Sequence, residues 1–185
     1  MTKTYDAFPV KLWKYNFKSL DLLSDVLSDF NSYPENAYSN VGGWQSFKHL
    51  HTDSRFLTLV DEIMILAKEP FQYFSSKSPR IIDMWANVMP TGAFNQLHDH
   101  GNSMVLSGVA YLQTNNSNGH LHFMNPNPAA KFSVLDVQNE TTGQVFTIPV
   151  STGDLVFFPC WLDHYTSVNT TDETRVSIAF NIGAV

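Results

Sequence analysis

Histidine pairs spaced by one residue occur three times in this chain: His49 and His51, His98 and His100, His120 and His122. Two residues apart on a strand, such histidines share a face, so each pair could chelate a metal ion. The remaining histidine, His164, closes the stretch Phe158 to His164, F-P-C-W-L-D-H. Soon after it, Arg175 to Asn181, R-V-S-I-A-F-N, alternates along a strand. Arg175, Ser177, Ala179 and Asn181 fall on one face; Val176, Ile178, Phe180 and Ile182 fall on the other. A guanidinium buried on such a face is costly unless an anion meets it. The anion is either an acidic side chain, as for an edge-strand arginine, or a ligand.

Taken together, these stretches resemble the 2-oxoglutarate and Fe(II)-dependent oxygenases. In that superfamily a strand histidine binds iron, and an arginine about ten residues later binds the cosubstrate's far carboxylate, often with a serine two residues on. The more specific resemblance is to an oxygenase family of bacteria and their viruses. Its members carry H-x-H, S-G-x-x-Y-L, F-P-x-W-L-x-H and R-x-S-x-x-F-N. Here those are His98 to His100, Ser107 to Leu112, Phe158 to His164, and Arg175 to Asn181. The resemblance covers residues 80 to 182 well and the N-terminal part loosely.

The resemblance implies a jelly-roll, double-stranded β-helix core of the cupin kind. It implies that His98, His100 and His164 bind Fe(II). Arg175 and Ser177 would bind 2-oxoglutarate, with Tyr111 as a third donor. The activity implied is a dioxygenase that hydroxylates a C–H bond of a peptidyl (prolyl-like) or small-molecule substrate. O2 is consumed; succinate and CO2 are released. No catalytic residue beyond the metal ligands is implied. Trp85, Asn87 and Trp161 become candidates for the substrate pocket. The superfamily's commonest metal motif is H-x-D, whereas this chain reads H-D-H. Strict alternation pairs His98 with His100 and turns Asp99 away. A bulge at the strand end would instead present Asp99. His49 and His51 lie in a polar connection and read as exposed or loop-packing residues; His120 and His122 read as structural, near the cavity mouth. Two other readings stand beside the oxygenase. One is a three-histidine cupin-type dioxygenase that uses no 2-oxoglutarate; the other is a non-catalytic jelly-roll binding module.

The elements that must position these residues follow from periodicity. Residues 1–18 read as an extended or irregular lead-in anchored by Phe8, Val10, Leu12 and Trp13. Ser19 is placed to cap a helix whose stripe is Leu22, Leu23, Val26, Leu27 and Phe30. Residues 31–51 are polar and turn-rich, a candidate substrate lid. A second helix is expected from Asp53 or Ser54, with the stripe Leu57, Val60, Ile63, Met64 and Ala67. Pro70 should end or kink it near Glu69. From Arg80 the period becomes two: Ile82, Met84, Ala86 and Val88 alternate with Asp83, Trp85, Asn87 and Met89. Further strands are expected over 94–100, 103–113, 120–124, 131–137 and 144–149, then three more to the end. Such short strands fit a jelly roll, with the helices covering the outer face of one sheet. The expected organisation is one domain over 1–185, with a mainly helical cover over 1–79 and the jelly-roll core over 80–185.

Composition bounds the partners. A net charge of -6 with only 11 Lys and Arg argues against a nucleic-acid surface. Neither a signal-like apolar region nor an apolar run of 18 residues occurs, which argues against secretion and membrane spanning. Cys160 is the only cysteine, so the chain can form no internal disulfide, consistent with a reducing, cytoplasmic setting. The oligomeric state is not written in the sequence.

Overall fold

The computed structural model describes residues 2–5, 8–35, 38–101, 103–115, 119–132 and 142–185. Its strands are β1 (Trp13–Asn16), β2 (Asn40–Val41), β3 (Trp44–Gln45), β4 (Pro79–Met89), β5 (Phe94–Asn95), β6 (Leu106–Gln113), β7 (Leu121–Met124), β8 (Val145–Ile148), β9 (Asp154–Pro159), β10 (His164–Thr166) and β11 (Arg175–Ala184). Three helices, α1 (Leu23–Ser32), α2 (Leu57–Leu66) and α3 (Lys68–Phe74), all precede β4.

Among the described residues, one antiparallel sheet of six strands runs β1-β9-β6-β11-β4-β3. A second layer has three strands, β10-β7-β8, and is continued by the pair β2-β5. A single bridge between His98 and His164 joins those two pieces. The layers face one another as a jelly roll. Apolar side chains fill two spaces. Val26, Phe56, Leu59, Ile63, Ala67 and Phe71 from the helices cover Met84, Ala86, Val88, Val176, Ile178 and Phe180 on the outer face of the large sheet. Between the sheets lie Tyr111, Leu121, Phe123, Val156, Phe158 and Leu162.

Several local expectations are corrected. Ser19 does not cap a helix; its hydroxyl donates to Glu62 at 2.9 Å, and a 3-10 turn over Leu20–Leu22 leads into α1. The α2 stripe is rotated: Phe56, Leu59 and Ile63 are buried while Leu57 is exposed. The helix breaks at Ala67, before Pro70. The proline has no N–H for the Leu66 carbonyl, so the chain restarts as α3 with Pro70 in its first turn. Ile82 is only partly buried, and Ile81 takes the core position. A bulge opposite Asn181 and Ile182 skips one residue of β4 there. The stretch expected as a strand from Lys131 begins inside a 3-10 helix, Pro128–Phe132, and its remainder lies outside the described residues. The strand expected over 94–100 is reduced to β5 and the His98 bridge. Phe8 is no anchor, being exposed.

The segment 31–51 is more than a loop. Trp44 pairs with Val88 and Gln45 with Asn87, so β3 forms an edge of the large sheet. β1 forms the other edge against β9, where Lys14 meets the buried Asp154 carboxylate at 2.8 Å.

Gly108 marks the tightest crossing in the large sheet. A Cβ there would lie 2.4 Å from Phe180 Cζ and 2.8 Å from the Val156 carbonyl oxygen. Both neighbours are fully buried, so neither can yield freely. Gly108→Ala is expected to cost about 1–3 kcal/mol. Urea unfolding checks this as a lower midpoint at unchanged slope; an unshifted midpoint would contradict the crossing.

Candidate functional site

Three imidazoles meet between the sheets. His98 N donates to His164 O at 3.0 Å, and His164 N donates back to His98 O at 2.9 Å. His100 is held next to them, its N donating to Cys160 O at 2.9 Å. Ring centroids are 4.3 Å apart for His98 and His164, 5.1 Å for His100 and His164, and 5.3 Å for His98 and His100. One ligand atom from each ring lies within 4.8 Å of the other two.

Each ring is oriented through its Nδ1. His98 Nδ1 donates to Gln96 O at 2.7 Å and His164 Nδ1 to Leu162 O at 2.8 Å. His100 Nδ1 meets Asn181 Oδ1 and Ser107 Oγ, and Ser107 itself donates to Asn181 Oδ1 at 2.8 Å. A carbonyl oxygen only accepts, so Nδ1 carries the proton and Nε2 keeps the lone pair. Burial pushes all three pKa values down, that of His100 to about 4 and that of His164 well below the usual value. The rings are therefore neutral at pH 7, the state in which imidazole can ligate a cation. Asp99 is exposed between them and folds back so that its Oδ1 accepts from Gly101 N at 2.7 Å.

The same cavity holds an anion-seeking end. Arg175 is 4% exposed. Its Nη2 donates to Thr166 Oγ1 at 3.0 Å and its Nη1 to Ser167 O at 3.2 Å. Both acceptors are neutral, and among the described residues no carboxylate pairs with it. The edge-strand alternative thus loses its acid, and β11 is an inner strand. Ser177 lies opposite both Asn87 and Tyr111 across the ladder. Among the described residues the buried Tyr111 hydroxyl has no hydrogen-bond partner, and burial raises its pKa, so it stays a donor. A guanidinium without an acid beside an orphaned hydroxyl is the donor set that a bound carboxylate would complete. Gly119, with φ +77°, makes room for it: a Cβ there would lie 2.3 Å from Arg175 Nη1.

Trp85 and Asn87 line the cavity beside these groups. Trp161 does not. It is 46% exposed on the turn after Pro159, where Leu162 takes the inward position instead. His49 is exposed. His122 stacks on Tyr165 and bonds Thr147 and Ser167. Cys160 is buried, its thiol donating to the Met104 and Gly101 carbonyls.

Ser107 and Asn181 are the positioning residues that spacing alone did not assign. Both recur in the motifs S-G-x-x-Y-L and R-x-S-x-x-F-N, at polar positions on inward faces. That was the available signal.

The family described as "Putative 2OG-Fe(II) oxygenase" matches residues 83–181, more than half of the chain. No curated protein matches. Among solved structures, the chain is similar to the non-heme alpha ketoglutarate dependent epimerase SnoN from nogalamycin biosynthesis. The identity is 13% and the TM-score 0.72, over 95% of this chain and 78% of that one. It is also similar to HygX from Streptomyces hygroscopicus with nickel, 2-oxoglutarate and hygromycin B bound, at 15% identity and TM-score 0.65, over 95% and 84%. A Pseudomonas putida prolyl-4-hydroxylase is similar at 14% and 0.65, over 95% and 94%. These likenesses are likenesses of fold.

Metal content should follow the geometry. His98→Ala, His100→Ala and His164→Ala are expected to lose stoichiometric Fe(II) or Mn(II), while Asp99→Ala, His49→Ala and His120→Ala keep it. Elemental analysis of the purified variants decides. Full occupancy in His164→Ala would remove the triad, and loss in Asp99→Ala with retention in His100→Ala would reverse the face assigned to this stretch.

Proposed function

This chain belongs to the 2OG-Fe(II) oxygenase family, and on that premise we propose that it is a hydroxylase whose Fe(II) is held by His98, His100 and His164 and whose 2-oxoglutarate is held by Arg175, Ser177 and Tyr111. The observation that carries the reading is one cavity with three neutral, converging imidazoles and a buried guanidinium lacking an acid. Fe(II) and 2-oxoglutarate, when bound, supply the oxidation, in which 2-oxoglutarate leaves as succinate and CO2 and a C–H bond of the substrate gains oxygen from O2.

The protein's part is placement. The Gln96 and Leu162 carbonyls and the Ser107–Asn181 pair fix the imidazole tautomers and orientations. Ser167 O and Thr166 Oγ1 take one donor each from Arg175 Nη1 and Nη2, which leaves the remaining N–H donors of the guanidinium for the far carboxylate. Ala179 lies on the same face of β11, between Ser177 and Asn181. Its small side chain leaves a gap between the anion end and the triad. Phe158, Leu121 and Val109 make the remaining wall apolar, which excludes water and strengthens the charge pairing.

A three-histidine dioxygenase without 2-oxoglutarate would leave Arg175 and the Tyr111 hydroxyl buried with no anion. A binding module would need no converging lone pairs. Hygromycin B in HygX and the name of the prolyl-4-hydroxylase support both a small-molecule and a peptidyl prolyl-like substrate for this fold. The lone reduced Cys160 favours a cytoplasmic setting. No helix among the described residues is long and apolar enough to cross a membrane.

Removing one partner of a partly desolvated charge pair costs about 2–5 kcal/mol, which is roughly 30-fold or more in affinity. Arg175→Ala should therefore keep the fold and the metal but bind 2-oxoglutarate at least about tenfold more weakly. Ser177→Ala should act in the same direction by about 1 kcal/mol. Calorimetric titration of the anaerobic Mn(II) form measures both. Equal binding by wild type and Arg175→Ala would displace the cosubstrate from this end, and no binding by wild type at millimolar ligand would end the 2-oxoglutarate reading.

A further inference from the structure

A second cation, Lys48, stands against the cavity-lining Trp85, at the end away from Arg175. Lys48 follows β3 on a backbone fastened to β4. Ser46 N donates to Ala86 O at 3.0 Å, Ala86 N to Ser46 Oγ at 2.9 Å, and Met84 N to Lys48 O at 3.1 Å. The half-buried Lys48 ammonium lies 4.2 Å from the centroid of the Tyr38 ring and 5.2 Å from that of Trp85. Trp85 is a wall of the cavity, and its ring is 5.6 Å from that of His100.

The chain has 17 acidic residues against 11 basic ones, yet among the described residues no carboxylate pairs with Lys48. Two aromatic faces hold it instead, which fixes the ammonium without using its hydrogen-bond donors. Tyr38 is 65% exposed, so the lysine stands at the mouth.

β4 serves as a ruler between the two cations. Lys48 is bonded at Met84, while Arg175 pairs with Met89. Five residues of strand separate those levels by about 17 Å at roughly 3.3 Å per residue. Asn181, which orients His100, pairs with Asp83, so Lys48 sits at the triad's end. If Arg175 takes the far carboxylate of 2-oxoglutarate, Lys48 remains for another molecule.

We propose that Lys48 is a substrate-specificity residue and that the substrate is a small anion, its carboxylate or phosphate group paired with the Lys48 ammonium and its adjoining carbon skeleton laid against Trp85 beside the triad. The inference rests on the oxygenase reading and names the substrate class for it. A lysine held by aromatic rings, without an acid, beside the oxidising end of the cavity is a receptor for one negative charge. Pairing there would hold the carbon atoms next to the anionic group nearest the metal end.

The test uses the zinc-substituted protein loaded with 2-oxoglutarate and saturation-transfer NMR. The probes are N-acetylated amino acids, the corresponding amides, and small phosphate monoesters. The acids or the phosphate esters are expected to bind at least about tenfold more tightly than the amides, and whichever does so identifies the anionic group. Lys48→Met, which keeps an unbranched side chain of similar length without the charge, should abolish that preference, and Lys48→Arg should retain it. The affinity for 2-oxoglutarate should be unchanged in both. Equal binding of acids and amides, no binding by any probe at millimolar concentration, or a preference that survives in Lys48→Met would each overturn the proposal. So would a tenfold loss of 2-oxoglutarate affinity in Lys48→Met, which would give the ammonium to the cosubstrate. Failure of the oxygenase reading is separately visible as wild-type protein that does not take up 2-oxoglutarate at all.

Discussion

From Arg175 to Gly183 every residue of β11 is buried, so both faces of that strand are packed against other parts of the fold. The alternation of side chains divides the problem. One face, Val176, Ile178, Phe180 and Ile182, meets the core under the helices. The other carries Arg175, Ser177 and Asn181, whose polar groups cannot be satisfied by hydrocarbon, with the small Ala179 among them. A strand with this pattern forces a polar chamber between the sheets. β4 and β6 pair with it on either side and place Asn87 and Tyr111 opposite Ser177, Trp85 opposite Ala179 and Ser107 opposite Asn181. The helices stabilise one face so that the other can be given over to chemistry.

Electrostatic balance in the chamber is incomplete within the protein alone. Three imidazoles are kept neutral by burial, and among the described residues a buried guanidinium has only neutral acceptors and a buried tyrosine hydroxyl has no partner. Each of these is unfavourable in isolation. Together they describe the complement of a divalent cation and a dicarboxylate. The unfavourable burial is sustained by the surrounding core, as expected where local rules are broken for function.

How much of this was legible in the sequence depended on periodicity. The strand alternations of 80–89 and 175–182 were readable, and with them the inward placement of Arg175, Ser177, Trp85 and Asn87. His98, His100 and His164 were legible through their motifs. What was hidden is tertiary. β2 and β3 are two residues each, too short to show a period, so the 31–51 stretch read as a lid rather than a sheet edge. The bulge that exchanges Ile81 for Ile82 leaves no mark on composition. Trp161 and Leu162 are adjacent apolar residues, and only the turn after Pro159 decides which one faces inward. The α2 stripe was phased on Leu57 although Phe56 and Leu59 are buried, because an apolar helix with little polar contrast has an ill-defined inner face. Lys48 carried no signal, since its neighbours are rings from Tyr38 and Trp85, distant in the chain.

The His98–His164 bridge is a single residue pair with two backbone hydrogen bonds, flanked only by His100 N to Cys160 O and Asn95 N to Thr166 Oγ1. Strand register has a period of two, so a slip by one residue exchanges inward and outward faces. At this point a slip would put Leu97 or Asp99 where His98 belongs and would change little of the hydrophobic core. Misregistered molecules would therefore be compact, with native-like secondary structure, and yet lack the triad. Folding fidelity at the site would then be decided separately from the stability of the fold that carries it. A preparation can be fully folded by every bulk measure while only a fraction of it is competent.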